Sequence, residues 1–446
     1  MSGLRFASST YADLAGLLLE DQSRESCAIG YAHFNSDAER WIFKSADIAP
    51  ESAYEKRSAL SAVLKPSFLV GAANKARAQQ LSVVLIHTHP WAMGIPEFSM
   101  IDDAGEFALA EYFGRRVAGG THLALVIGPE GCRGRRLGDK NSIAVWEVGK
   151  SLCQRSQPPD AAKALRQYDR QIRAFGEAGQ RAIRSLRIAV IGAGGTGSAV
   201  IQQLAYLGVD DFMLIEPDNV EDTNLNRLIG AIPTDIDTPK LAVAAKMIKS
   251  IRPGARVELL PRDVVDADIA PHLAAVDFIF VCTDSHASRA VINQLAYQHL
   301  VPTIDMGVSI TAREGAVTHI TGRVQMLAPG LPCLVCTNAL DGERIRQEML
   351  SPEERAADPY IIGEREPQPA VVSINSTMAS LAVTMFLGAV TPVPAAARFQ
   401  LYDGIRGMVR PTTASIVGDC IACSAKGALA RGVSLSLPVR PVARHE

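Results

Sequence analysis

The sequence predicts an α/β protein in two domains, the second built on a doubly wound parallel sheet, and three observations carry that prediction. Residues 186–197 read LRIAVIGAGGTG, a buried-strand run that breaks into glycines and continues as a helix. Further apolar strand runs at 211–216 and 277–282 alternate with helical stretches, as a parallel sheet requires. Well upstream, residues 82–87 (SVVLIH) form another buried-strand run, cut off from the glycine turn by Gln157-Pro158-Pro159, a stiff linker that marks a boundary. The expected division is a first domain over 1–155, a linker and helical lead-in over 156–185, and a second domain over 186–446.

Composition narrows the function classes. A chain of 446 residues, 48% hydrophobic and 21% charged, is ordinary for globular protein with a large core. Its net charge of −2 gives no field to recruit nucleic acid. Glu20 and Asp21 directly follow a short apolar stretch, unlike a signal peptide, and no apolar run approaching the roughly 18 residues of a membrane span stands out. Eight cysteines without such a leader point to a reducing compartment, the cytoplasm, and to metal or redox roles.

In the first domain, residues 11–20 read as a helix, and 26–33, 41–43 and 82–87 as strands. The last ends in His87-Thr88-His89-Pro90, and side chains two apart on a strand share a face, so both imidazoles can meet one metal ion. Asp102 offers a third ligand, leaving a fourth position for water, the open coordination of a catalytic zinc. Ser99 can hydrogen-bond an oxyanion, and Glu25 is the candidate general base. The bland alternative is that the histidines end a strand and Glu25 is a solvated cap residue. The set Glu25, His87, His89, Pro90, Ser99 and Asp102 resembles the JAMM (MPN/Mov34) metalloprotease family, which implies a JAMM-like α/β domain and zinc-dependent peptidase or isopeptidase action on ubiquitin-like modifiers. Twelve residues lie between His89 and Asp102, more than the family's usual spacing, so the loop through Trp91 and Pro96 must bulge. Asp103 breaks the S-x-x-D unit and is the poorer ligand.

The lead-in turns helical and basic and contains Tyr168-Asp169-Arg170-Gln171-Ile172. Gly192, Gly194, Gly195 and Gly197 then let the backbone approach a phosphate at a helix N-terminus. Glu216, ending the next strand, is placed to bond ribose hydroxyls. These features leave NAD and ATP tied. Asp218, Asn224, Asn226, Arg227, Lys240 and Asp284 favour ATP: Arg227 and Lys240 neutralise charge as the α–β phosphate bond breaks, and Asp284 holds Mg²⁺. As an ordered set these residues resemble the ThiF/MoeB and ubiquitin-activating superfamily. That resemblance implies a Rossmann-like adenylyltransferase acting on the C-terminal glycine of a ubiquitin-like protein, working as a homodimer in which Arg170 reaches the partner's ATP. Glu216 stands where the family usually has Asp, and Thr238 where glycine often precedes the Pro239-Lys240 pair.

Cys333-x-x-Cys336 and Cys420-x-x-Cys423 supply four thiolates for a closed, structural zinc, the alternative being redox use of one pair. No cysteine lies between 337 and 419, where the resemblance implies that members passing a modifier onward usually carry one. Tyr360, Ser373 and Ser376 are the hydroxyls nearby, so the modifier leaves as an acyl-adenylate or a hydroxyl takes the cysteine's place. The whole reads as a bifunctional enzyme using ATP, Mg²⁺ and two zinc ions, one catalytic and one structural. Its expected partners are a ubiquitin-like protein with a C-terminal glycine and a conjugating-enzyme-like protein, without nucleic acid or membrane. Alternatives are sulfur-carrier activation for cofactor or cysteine biosynthesis, an NAD-dependent oxidoreductase, and a non-catalytic scaffold.

Overall fold

The computed structural model describes residues 3–156, 166–313, 316–351, 354–355, 358 and 369–440. The chain divides into two compact units, one of Met1–Ala161 with Gln298–Leu300 and Leu429–Ser436, the other of Ala162–Tyr297, Val301–Ala428 and Leu437–Glu446.

The first unit holds β1 (Gly3–Ala7), α1 (Ser8–Leu18), β2 (Cys27–Asn35), β3 (Arg40–Ile48), the hairpin of β4 (Tyr54–Arg57) and β5 (Ala62–Leu64), and α2 (Pro66–Gln79). After these come β6 (Ser82–Thr88), α3 (Met100–Arg116), β7 (Leu123–Gly128), β8 (Gly131–Arg136), β9 (Ser142–Val148) and β10 (Leu152–Gln154). Seven strands run in the order β1-β3-β2-β6-β7-β8-β9 and close into a mixed barrel, because β1 pairs in parallel with both β3 and β9. The central strands β2 and β6 are mostly buried on both faces. Ala28, Val84 and Ile86 pack with Leu4, Phe6 and the α1 residues Tyr11, Leu14 and Leu18, while Ile29, Tyr31 and Val83, on the opposite face, meet Ala72, Ala76 and Phe113 of α2 and α3. This explains why SVVLIH carries no polar alternation. The domain is α/β as expected, in the form of a barrel; that form by itself identifies no JAMM family. The strand read over 41–43 extends through residues 44–47, which are polar or small and enter the ladder through pairing with β2.

The second unit begins with α4 (Asp169–Ser185), β11 (Arg187–Ile191), α5 (Gly195–Leu207), β12 (Asp211–Ile215), α6 (Lys240–Ile251), β13 (Arg256–Leu260) and β14 (Phe278–Val281). It continues with α7 (His286–Gln298), β15 (Thr303–Arg313), β16 (Ala316–Leu327), α8 (Gly342–Met349), α9 (Val372–Val390), β17 (Phe399–Asp403) and β18 (Met408–Pro411). Its sheet order is β13-β12-β11-β14-β15-β16-β17-β18, parallel as far as β15 and antiparallel beyond. The connection reverses direction between β11 and β14, and ligands of such sheets bind beyond the strand ends at that point. Contrary to the expectation of no run of membrane-spanning length, α9 is 19 residues long and apolar enough to cross a bilayer. Here it is a core helix against α5 and β15, with Phe386 edge-on to Phe278.

Candidate functional site

At the end of β11 the chain turns on Gly192, whose φ of 91° suits glycine. A Cβ there would lie 2.9 Å from the Cys282 carbonyl oxygen, and one at Gly197 only 1.9 Å from Gly192 O. Close approach of the turn to β14 and to the first turn of α5 therefore demands both glycines. The helix starts at Gly195, inside the glycine run, so its unpaired amides face the turn directly.

Glu216 is buried, and its carboxylate accepts from Ala193 N at 2.7 Å and from Asp218 N at 3.1 Å. The ribose-binding candidate thus also holds the glycine turn. Burial raises its pKa, which Lys240 opposes. Lys240 Nζ lies 2.8 Å from Asp218 Oδ2, and Lys240 N donates to Asp218 O at 3.0 Å. Asn224 Oδ1 accepts from Glu221 N, capping the short turn over Asp222–Asn224. Arg227 donates to Thr223 O at 2.6 Å and to Asn226 Oδ1 at 3.3 Å. A Cβ on Gly195 would lie 3.3 Å from Arg227 Cδ, so the arginine rests on the helix N-terminus. Ser198 Oγ accepts from Ile229 N at 3.0 Å and ties that loop to α5. Asp284 follows β14, whose continuation bonds to β11 through Cys282 N and Ile191 O at 2.8 Å. The glycines, Glu216, Asp218, Asn224, Asn226, Arg227, Lys240 and Asp284 are therefore gathered at one end of one sheet. Arg170 stands exposed on the first turn of α4.

Three groups escaped the sequence reading. Asn375 on α9 is buried, with Nδ2 2.4 Å from where a Gly195 Cβ would sit; the same stretch had suggested Ser373 and Ser376, which helix phase turns elsewhere. Tyr360 lies outside the described residues. Asp305 on β15 is fully buried between Arg289, 3.0 Å away, and Arg323. Glu348 on α8 accepts from Ser285 and Ala287, beside Asp284. All three arise from contacts distant in sequence.

The sulfurs of Cys333, Cys336, Cys420 and Cys423 all lie within 4.8 Å of one another, with 3.7 Å from Cys333 to Cys336, 3.5 Å from Cys333 to Cys420 and 3.4 Å from Cys336 to Cys423. Tetrahedral zinc with bonds of about 2.3 Å sets its sulfurs roughly 3.8 Å apart. The cluster fits structural zinc. Hydrogen bonds from the surrounding thiols, foremost Cys423, draw Cys333 down to about 5.

In the barrel, His87, His89 and Asp102 also converge, their ligand atoms within 4.8 Å. His87 Nε2 makes no properly directed hydrogen bond although Asp102 Oδ1 is 3.2 Å away, the arrangement of two ligands facing a shared ion. Asp102 Oδ2 and Glu25 Oε1 each lie 3.7 Å from His89 Nε2. Burial opposes ionisation of Asp102, but the charge of the adjacent His87 imidazole and the hydrogen bonding with Ser99 outweigh it and hold the carboxyl well below its usual range. Burial raises Glu25 to about 7. Ser99 caps α3, its Oγ accepting from Asp102 N at 3.2 Å, which leaves its own proton to donate. Asp103 turns away to pair with Arg135 at 2.7 Å. The Arg135 guanidinium lies 3.8 Å over the Phe98 ring, which packs against His87.

A sequence model of the ThiF family matches residues 168–417, which leaves the barrel strands outside it. The chain is 29% identical over 177 residues to the SAMP-activating enzyme E1 of Haloferax volcanii, covering 39% of this chain and 62% of that protein, less than two thirds of its length. It is 27% identical over 261 residues to a sulfur carrier protein adenylyltransferase of Thermus thermophilus, covering 58% and 90%. It is 32% identical over 178 residues to the molybdopterin-synthase adenylyltransferase of Salmonella typhimurium, covering 40% and 69%.

Proposed function

The chain belongs to the ThiF family, and from that premise we propose that it uses ATP to adenylate the C-terminal glycine carboxylate of a ubiquitin-like or sulfur-carrier protein. The observation that carries this reading is the gathering of Arg227, Lys240 and Asp284 around the glycine turn that Glu216 braces. The turn and the α5 N-terminus orient the phosphates, and Arg227 and Lys240 balance the charge of departing pyrophosphate. Asp284 is the residue that would hold Mg²⁺, which supplies further charge neutralisation. The partner's carboxylate attacks the α-phosphorus as the bond to the β-phosphate oxygen breaks. What the Thermus relative is named for supports a sulfur-carrier partner, as does the lack of cysteine between 337 and 419. We place the enzyme in the cytoplasm on its eight free cysteines, as a homodimer to which Arg170 contributes across the interface. ATP–pyrophosphate exchange dependent on a glycine-tailed ubiquitin-fold protein is the test; tight NADH binding without exchange would favour an oxidoreductase.

A second activity is proposed for the barrel on its own geometry, zinc-dependent cleavage after a ubiquitin-like tail. His87, His89 and Asp102 would hold the ion, which supplies a Lewis acid and an acidified water. Glu25, beside His89, takes and returns the proton, and Ser99 donates to the oxyanion. Cleavage of a C-terminally extended partner that vanishes in His89→Ala while exchange persists is the expected result.

A further inference from the structure

Between Cys336 and Cys420, α8 is fastened to the turn that carries Asp284. Ser285 caps α7, its Oγ accepting from Ser288 N at 3.1 Å. Glu348 Oε2 accepts both the Ser285 hydroxyl and Ala287 N at 2.8 Å, so one carboxylate oxygen takes the cap and an unpaired helix amide. At the other end of α8, Asp341 caps the helix by accepting from Glu343 and Arg344, and its own amide donates to His286 Nδ1 at 3.1 Å.

A second fastening comes from the C-terminal tail. Arg440 donates to Glu348 O at 2.9 Å and to Met349 O at 3.2 Å, satisfying the last carbonyls of α8. The same guanidinium pairs with Asp266 at 3.1 Å, and Arg440 N donates to Val265 O at 2.7 Å. Met349, Leu437 and Val439 pack on the core that contains Ala287, Val291 and Leu295. The tail thus grips α8, and α8 grips the Asp284 turn.

We infer that Glu348 and Arg440 are positioning residues for Asp284, so that the C-terminal tail sets the protein's affinity for MgATP. The inference rests on the adenylation reading. Outer residues that orient a metal ligand change metal affinity by about ten- to a hundredfold when removed, although they touch no ion.

Hydrogen exchange on the full chain reads the fastening without reference to activity. In Arg440→Ala the amides at 285–288 should exchange at least about tenfold faster while those of β11 and β14 keep their protection. Unchanged exchange at 285–288 would overturn the inference. Calorimetry with MgATP should then give about tenfold weaker binding in Arg440→Ala and Glu348→Ala, largely restored in Glu348→Gln, while metal-free ATP binds each variant like wild type. Equal MgATP affinity despite a loosened turn would leave the tie purely structural and overturn the positioning role. Wild type that binds no MgATP, with the turn still loosened by Arg440→Ala, would remove the adenylation reading itself. Failure of both variants to fold like wild type is guarded against by Arg440→Lys, which keeps a donor to one carbonyl and should fall between the two.

Discussion

Glu216 accepts the Ala193 amide at 2.7 Å, so the acidic residue that ends one strand holds the glycine turn that ends its neighbour. A hydrogen bond to a charged acceptor is worth about 1.5–3 kcal/mol. Glu216→Ala should weaken ATP binding about tenfold or more, and Glu216→Asp, too short to span the gap, should recover little of it. Full recovery by Asp would mean that the ribose contact outweighs the turn.

Gly195→Ala drives a methyl group against Asn375, whose amide nitrogen occupies that space. Overpacking of this kind costs about 1–3 kcal/mol. The substitution should lower both thermal stability and pyrophosphate exchange, and Asn375→Ala in the same chain should return stability but not exchange. Stability left unrelieved by the second change would show that the clash lies with Arg227.

Metal removal should separate the two clusters. A closed thiolate cage retains zinc against chelator, whereas an open site exchanges it. Brief chelation should strip the ion held by His87, His89 and Asp102 and spare exchange activity. Cys336→Ser should instead destabilise the second unit. Atomic absorption on wild type and His89→Ala checks this, and equal zinc in both would remove the barrel site.

No reductant-labile adduct with the activated partner should form. The four thiols outside the zinc cluster are Cys27, Cys132, Cys153 and Cys282; burial pushes Cys282 well above the usual thiol range and raises Cys27 and Cys132 to about 12. A thiol held protonated is a poor nucleophile. An adduct lost on thiol treatment and on Cys282→Ala would overturn this.

The first unit should lose stability on the acid side. Burial lowers His33 and His299 from 6.5 to about 4, helped by Lys44 and Arg431 at His33 and by Arg5 and Arg40 at His299. The unfolded chain binds these protons first, so the stability is present above pH 6.5 and is lost as pH falls toward 4. Each group contributes a slope of about 1.4 kcal/mol per pH unit in that window. His299→Gln should flatten the pH dependence of denaturant unfolding of this unit between pH 6 and 4.5, roughly one half of the combined slope.

The sequence by itself determined the strand, glycine turn and helix at 187–207, the paired cysteines and the H-x-H strand end, because each is a local pattern whose geometry follows from chain periodicity. It also ordered Glu216, Arg227, Lys240 and Asp284 toward one site, since parallel strands bring their carboxyl ends to one edge of the sheet. Tertiary structure alone decided the rest. Closure of the barrel depends on β1 meeting β9, more than a hundred residues away. Asn375 reaches Gly195, and Arg440 reaches α8, only through packing of distant segments. Glu216 shows the division most directly: its position near the nucleotide is readable from spacing, whereas its hold on Ala193 depends on the parallel register of β11 and β12 and on how far a glutamate side chain extends across it.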